Sequence, residues 1–241
     1  MDSHAHLEAR LSELAAREGR SRFLEPGAQV ALAQRAAREA GVEVALGGGY
    51  PGAERVVAAF YRWEPPEDFG VVRLLAQWNG KYGAPGHRDL LGALLGTGVE
   101  REMLGDILLC SGCARVFVLE EIAPYLLSNW DSAGRVKLRV CREEGDFEPP
   151  EPEGVYLRET VNSPRIDAIV AAGYGLSREQ AQRLVRQGMV KRNHLECARA
   201  DARVEAGDLI SVRGYGRLRV EEELGKTRRD RLAVRLFRYS R

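Results

Sequence analysis

No stretch of this sequence stays apolar for the roughly 20 residues that a membrane-spanning helix needs. The first residues, M-D-S-H-A-H-L-E, lack the basic-then-apolar order of a signal peptide. Together these absences predict a cytoplasmic protein with no membrane partner. Metal-ligating residues are sparse too, with four cysteines (Cys110, Cys113, Cys141, Cys197) and four histidines (His4, His6, His87, His194). A structural zinc site usually takes two ligand pairs. Cys110-Ser-Gly-Cys113 is a single pair, Cys141 and Cys197 are isolated, and His4 and His6 lie in a terminus expected to fray. A redox C-x-x-C opens a helix after a strand, whereas Ser111-Gly112 reads as a hairpin turn between 107–109 and 116–119. Neither a metal nor a disulfide is expected there, and no cofactor is expected anywhere.

Catalytic signatures are missing as well. The glycine run G-G-G-Y-P-G (47–52) follows an apolar segment, but no G-K-[ST] comes after it to reach phosphates or hold magnesium. It reads as a tight connection, with Tyr50 and Arg55 as surface contacts. His87-Arg88-Asp89 matches a kinase catalytic loop only superficially, because the asparagine of that motif and a D-F-G are absent. Asp89 is instead expected to N-cap a helix running through Leu95.

What is present is a mixture of helix and strand patterns. Leu7, Leu11 and Leu14 mark a first helix ending near Gly19, F-L-E-P-G (23–27) breaks the chain, and Val30, Ala31, Ala33 and Ala37 mark a second helix ending at Gly41. Residues 42–46 and 69–78 read as strands, 101–104 as a further helical turn, 116–119 as a strand, 122–130 as a helix and 136–141 as a strand. An acidic, proline-rich segment, 143–154, reads as a linker or edge loop. The expected division is 1–80, an N-terminal α/β domain; 81–160, a small central α/β unit; and 161–241, a C-terminal domain with a basic extension.

Charge separates the last region from the rest. From Ser163 onward there are 18 Lys+Arg against 10 Asp+Glu, a balance of +8, whereas residues 1–162 carry 18 against 25, a balance of −7. A phosphate polymer is the natural partner for the basic third, since each neutralised phosphate releases counterions.

Within that third, Ile166, Ile169 and Val170 have helical spacing before Gly173. Ser177 sits where an N-cap belongs, and Gln180 completes a capping box. Ala181, Leu184 and Val185 form the buried stripe of this second helix and Gly188 is its stop, which leaves Arg178, Arg183 and Arg186 to project. Residues 189–193 and 209–212 read as short strands, with Gly207-Asp208 as the turn before the second.

The ordered series R-x-D, S-R-x-x-A-x-x-L, G-x-V-x-x-N and G-D-x-I resembles the S4 (αL-type) RNA-binding domain. The resemblance implies that Arg165, Ser177, Arg178, Lys191, Asn193, Arg213 and Arg217 meet RNA. On the residues themselves, Asp167 is expected to orient Arg165 or cap its helix. Asn193 suits a turn as well as a contact, and Ser177 is a cap first. Arg183, Arg186 and Arg192 join the RNA-binding set, and Lys226, Arg228 and Arg229 extend the basic track. Forked arginine donors suit phosphates.

H-R-D-L-L-G-A-L-L-G-T-G-V-E-R-E-M-L-G-D-I (87–107), with G-G-Y-P-G-A-E-R (48–55) and the closing G-K-T-R-R-D-R-L (225–232), is similar to the bacterial YlmH family. That resemblance implies a ribosome-associated protein whose S4 domain engages ribosomal RNA of the large subunit. It also implies that the protein steadies peptidyl-tRNA during template-free tail addition in rescue of stalled nascent chains. Some members are connected with cell division. His87, Arg88, Asp89, Arg101 and Asp106 belong to the family motif; His87, Arg88 and Arg101 form a candidate second RNA site, and several of the motif residues are expected to be structural. The expected fold is α+β and multi-domain, and the expected protein is a non-enzymatic monomer.

The rival is an RNA-modifying enzyme targeted by its S4 domain. Pseudouridine synthases place a large catalytic domain after S4, and only 24 residues follow Arg217. A methyl-donor site would have to use G-G-G-Y-P-G, which lacks a downstream acidic ribose partner. Nothing resembles the H-I-G-H or K-M-S-K-S elements of tyrosyl-tRNA synthetases. A pure protein-interaction module would not explain the +8 region.

Overall fold

The computed structural model describes residues 2–227 and 230–240. The chain divides into two compact units, Met1–Pro149 and Pro150–Arg241. Each mixes helix with antiparallel sheet, the expected α+β character.

The first unit begins with α1 (Asp2–Ala16), β1 (Arg20–Leu24), α2 (Ala28–Ala40), β2 (Glu43–Gly47) and β3 (Val56–Tyr61). The strands form one sheet in the order β1-β3-β2, and α1 and α2 bury Leu11, Leu14, Ala33 and Ala37 against Ala58 and Phe60. Strand β1 takes the first two residues of the expected break, and 25–27 remain the turn that separates it from α2. R-S-R-F-L alternates so that Ser21 and Phe23 turn inward, and this period-two pattern prevails between two helices. Gly41 ends α2 in the left-handed conformation at φ 66°.

A second sheet follows, from β4 (Val71–Gln77), α3 (His87–Gly96), β5 (Leu104–Cys110), β6 (Cys113–Leu119), α4 (Ala123–Asn129), the short pair β7 (Ser132–Ala133) and β8 (Val136–Lys137), and β9 (Arg139–Glu143). Its order is β5-β6-β4-β9. Leu90, Leu94, Leu126 and Trp130 from the helices pack on Leu74, Leu104 and Val116 from the strands. A shared cluster joins the two sheets, with Phe23 and Val57 against Met103, Phe117 and Leu119.

Three sequence expectations change here. Asp89 is the third residue of α3, not its N-cap. Gly86 precedes the helix, and the Asp89 carboxylate reaches back to accept from the Gly86 amide at 2.9 Å. Cys110 and Cys113 do form the expected hairpin, but their sulfurs are bonded, against expectation. They are the last facing pair before the two-residue turn, with Cα atoms 5.0 Å apart, within disulfide reach. Arg55 is not a surface contact, because only 4% of it is exposed.

The glycine run is the tight connection expected of it. It leads into strand β3 rather than a helix, so no helix N-terminus is there to cradle a phosphate. Gly49 has φ 90°, and a Cβ there would lie 2.6 Å from the Phe117 ring. Glycine is therefore required for close approach as well as for backbone conformation.

The second unit comprises β10 (Gly154–Val161), α5 (Ile166–Tyr174), α6 (Arg178–Arg186), β11 (Val190–Arg192), β12 (Leu195–Glu196), β13 (Leu209–Val212), β14 (Gly216–Lys226) and β15 (Leu232–Tyr239). Its six strands run β10-β15-β14-β13-β11-β12, all antiparallel. Ile166, Ile169, Val170, Ala181 and Val185 from the helices bury one sheet face through Val190, Ile210, Leu218, Val234 and Leu236. Among the described residues no helix is long and apolar enough to cross a membrane.

Candidate nucleic-acid interface

The two helices of the second unit start beside one another, and a single carboxylate joins their starts. The first turn of α5 is anchored from outside, since the Ile166 and Asp167 amides donate to the Ala202 and Ala200 carbonyls at 2.9 and 3.1 Å. That anchoring satisfies donors the helix leaves open and drives the Asp167 side chain inward, where it is fully buried. Arg165 donates to it from Nε and Nη2, both at 3.2 Å; Arg178 donates from Nε at 3.3 Å and Gln182 from Nε2 at 2.8 Å. Burial opposes ionisation of Asp167, but the hydrogen bonds from Gln182, Arg165 and Arg178 outweigh it and hold the carboxyl below its usual range.

The consequence is a pair of pre-aimed cations. The Arg165 and Arg178 side chains remain 35% and 44% exposed. Each thus presents part of its fork to solvent from a fixed base, which reduces the rotamer entropy lost on meeting a phosphate. The expectation that Asp167 orients Arg165 describes half of this arrangement; its hold on Arg178 depends on the α5–α6 packing.

Helix α6 carries the rest of the projecting set. Ser177 is its N-cap, accepting from the Gln180 amide at 3.1 Å while Gln180 Oε1 accepts from the Ser177 amide at 2.8 Å. Ala181 and Val185 face the core, and Arg183 and Arg186 are exposed. Arg183 pairs with Glu179 at 3.3 Å, one helical turn earlier.

A second buried carboxylate, Asp208, occupies two of the other expected contacts. It receives Asn193 Nδ2 at 2.7 Å, Arg192 Nη2 at 2.7 Å and the Glu205 amide at 2.7 Å. Asn193 sits at φ 48° and its Oδ1 accepts from the Leu209 amide at 2.9 Å, so the turn role is the one the geometry shows. Arg192 also donates to the Arg203 carbonyl at 2.8 Å. The signal for Asp208 was the G-D turn itself, whose aspartate is positioned to accept from neighbouring donors.

Lys191 is exposed on β11, beside Ser211 and Glu196 in register. Arg213 is exposed in the β13–β14 turn, and Arg217 lies over the Tyr239 ring at 5.0 Å. Lys226 closes β14 and pairs with Asp230 at 2.6 Å. It is nine residues along the strand from Arg217, roughly 30 Å by strand rise. Arg228 and Arg229 lie outside the described residues. The structure therefore brings Arg165 and Arg178 together at Asp167, and Arg192 and Asn193 together at Asp208, and sets Lys226 apart.

In the first unit, His87 and Arg88 open α3 and are exposed. Arg101 turns inward, donating from Nη1 to the Leu104 carbonyl at 2.8 Å. Asp106 accepts from Tyr50 Oη at 2.8 Å and from the Glu54 and Arg55 amides at 2.7 and 3.2 Å, fixing the end of the glycine connection. Burial, then the Asp106 charge, pushes the Tyr50 hydroxyl pKa up. The Arg55 guanidinium donates to the Leu104 and Arg101 carbonyls at 2.8 and 3.2 Å and pairs with Glu25. Burial, and then the Arg101 charge, lowers its pKa to about 10.

Comparison with known proteins matches two stretches of the chain to family models. Residues 65–146 match the family model described as "Putative RNA-binding domain in YlmH", and residues 164–210 match the S4 domain. Ribosome-associated protein quality control protein P2 of Bacillus subtilis is 32% identical over 216 residues, spanning 88% of this chain and 84% of that protein. A solved structure, cell division protein ylmH from Streptococcus pneumoniae, aligns at 20% identity with a TM-score of 0.47, covering 59% of this chain and 88% of its own. On the sequence relationship and the two domain matches, the chain belongs to the YlmH family of S4-domain RNA-binding proteins.

Proposed function

We propose that this protein is a ribosome-associated RNA-binding factor of the cytoplasm. It docks on ribosomal RNA of the large subunit through its S4 helices and steadies peptidyl-tRNA while stalled nascent chains are processed, acting by docking and not by catalysis. The observation that carries the reading is the Asp167 cluster, which fixes two partly exposed guanidinium forks at the adjoining starts of α5 and α6. The Bacillus subtilis relative, named as a ribosome-associated quality control protein, supplies the ribosomal context. Structured RNA offers backbone and shape more readily than base edges, and fixed forks suit a backbone.

Sucrose-gradient sedimentation of lysate, with the protein followed by immunoblot, tests this. Co-migration with the large subunit that weakens as salt is raised is the expected result, and a protein carrying Arg165→Ala and Arg178→Ala should move to the top fractions. Wild-type protein confined to the top at every salt contradicts the ribosomal reading.

A further inference from the structure

The sheet of the second unit has two faces, and the helices cover only one. Leu157, Leu236 and Val220 align across β10, β15 and β14 and lie in the core under the helices. Side chains alternate along a strand, so the neighbouring row, Tyr156, Phe237 and Arg219, faces the other way. On that side the rings form a continuous ladder. Tyr156 lies 4.9 Å from Phe237, and Phe237 lies 5.0 Å from Tyr239. Arginines close both ends, Arg235 at 5.9 Å from the Tyr156 ring and Arg217 at 5.0 Å from the Tyr239 ring.

Part of this ladder is packing, since it shields Phe237, which is 4% exposed. Shielding does not require the rest. Tyr156 is 64% exposed on an edge strand. One row further along, Arg158 stands directly opposite Arg235, a like-charge juxtaposition that costs a sheet stability. Arg235 has Glu222 at 3.0 Å, while exposed Arg158 makes no ion pair among the described residues. An exposed ring beside an unbalanced pair of guanidiniums fits a ligand with both a flat apolar face and a negative charge. A nucleotide has both. Strands β10, β14 and β15 all lie outside the S4 match at 164–210.

We propose that this face is a second RNA contact, taking unpaired nucleotides whose bases stack on Tyr156 and Tyr239 while Arg158, Arg235 and Arg217 meet the phosphates. The proposal rests on the RNA-binding reading above and adds a distinct surface with a distinct preference, single strands over structured RNA. Stacking on aromatic side chains tolerates any base.

Fluorescence anisotropy of the full chain with two labelled probes, a short oligouridylate and a short RNA hairpin, separates the two readings. Tyr156→Ala should weaken oligouridylate binding about tenfold and leave hairpin binding unchanged, and Tyr156→Phe should keep both. Arg158→Ala, at an exposed position without an ion pair among the described residues, supplies a second variant if Tyr156→Ala disturbs the edge strand, which circular dichroism would reveal. Arg178→Ala should weaken the hairpin and spare the oligouridylate. Oligouridylate affinity unchanged in both Tyr156→Ala and Arg158→Ala, or absent in a wild type that still binds the hairpin, overturns this inference and leaves the S4 reading standing. A wild type that binds neither probe overturns both.

Discussion

Two pairs of arginines, one in each unit, behave in opposite ways. In the first, Arg55 and Arg73 are only 4% and 8% exposed, with their donors on backbone carbonyls and on Glu25 and Glu143. In the second, Arg165 and Arg178 are joined to a carboxylate yet reach solvent. The difference lies in the acceptor. Carbonyls around Arg55 bind both ends of its fork and close it inside, whereas a single buried aspartate beneath Arg165 and Arg178 holds each guanidinium by one side. Asp106 and Asp167 show the same contrast from the acid side, the former fastening a loop through backbone amides and a tyrosine, the latter propping cations. Counting arginines therefore does not say which of them reach solvent; locating their acceptors does.

The contrast can be broken at its strongest point first. Arg55→Ala takes one of two side-chain donors from the Leu104 carbonyl and removes the Arg55 donors to the Arg101 carbonyl and Glu25, and should destabilise the first unit by about 3 kcal/mol. All three tryptophans (Trp63, Trp78, Trp130) lie in that unit, so their fluorescence during urea unfolding reports on it alone. RNA affinity of the folded protein should not change. An unmoved midpoint would mean that Arg55 is not the staple described.

Asp167→Asn comes next, at about 2 kcal/mol in the second unit because its partners are partly solvated, with RNA affinity falling as both forks loosen. Its pH dependence has a definite sign. A carboxyl held below its unfolded value of about 3.9 contributes fully above that value and loses its contribution as pH falls through the lower folded value. The stability gap between wild type and Asp167→Asn should thus be widest near neutrality and shrink below about pH 4, as measured by amide hydrogen exchange in α5 and α6. A gap independent of pH would show that the charge of Asp167 is not what matters. The smallest effect is expected from Arg88→Ala, which is exposed at the start of α3. Stability should move by less than about 0.5 kcal/mol and RNA affinity by about twofold; a larger loss would shift the principal interface to the first unit.

Much of the second unit was legible because its signals are local. Ser177 with Gln180, the apolar stripe of α6 and the turn at Gly207 each depend on neighbours within a few residues. Strands β14 and β15 were missed, since what defines them is register across the sheet, such as Tyr156 opposite Phe237. The Cys110–Cys113 bond escaped for a related reason. The hairpin was readable, but pairing the two cysteines across its last rung needs register. Arg55 and Arg192 read as surface cations in the sequence because their acceptors, the carbonyls of Leu104 and Arg101 and the carboxylate of Asp208, come from elsewhere in the fold. Sequence supplies the charge of a side chain; tertiary packing decides whether a partner can reach it.

The most direct test of the account is the salt dependence of binding to a large-subunit ribosomal RNA fragment, compared for wild type and Arg178→Ala. Loss of one phosphate contact should lower affinity about tenfold at moderate salt and reduce the magnitude of the log–log slope by about one, with the fold intact because Arg165 and Gln182 still hold Asp167. A folded variant with unchanged affinity and unchanged slope would contradict the claim that the Asp167 cluster presents its arginines to RNA.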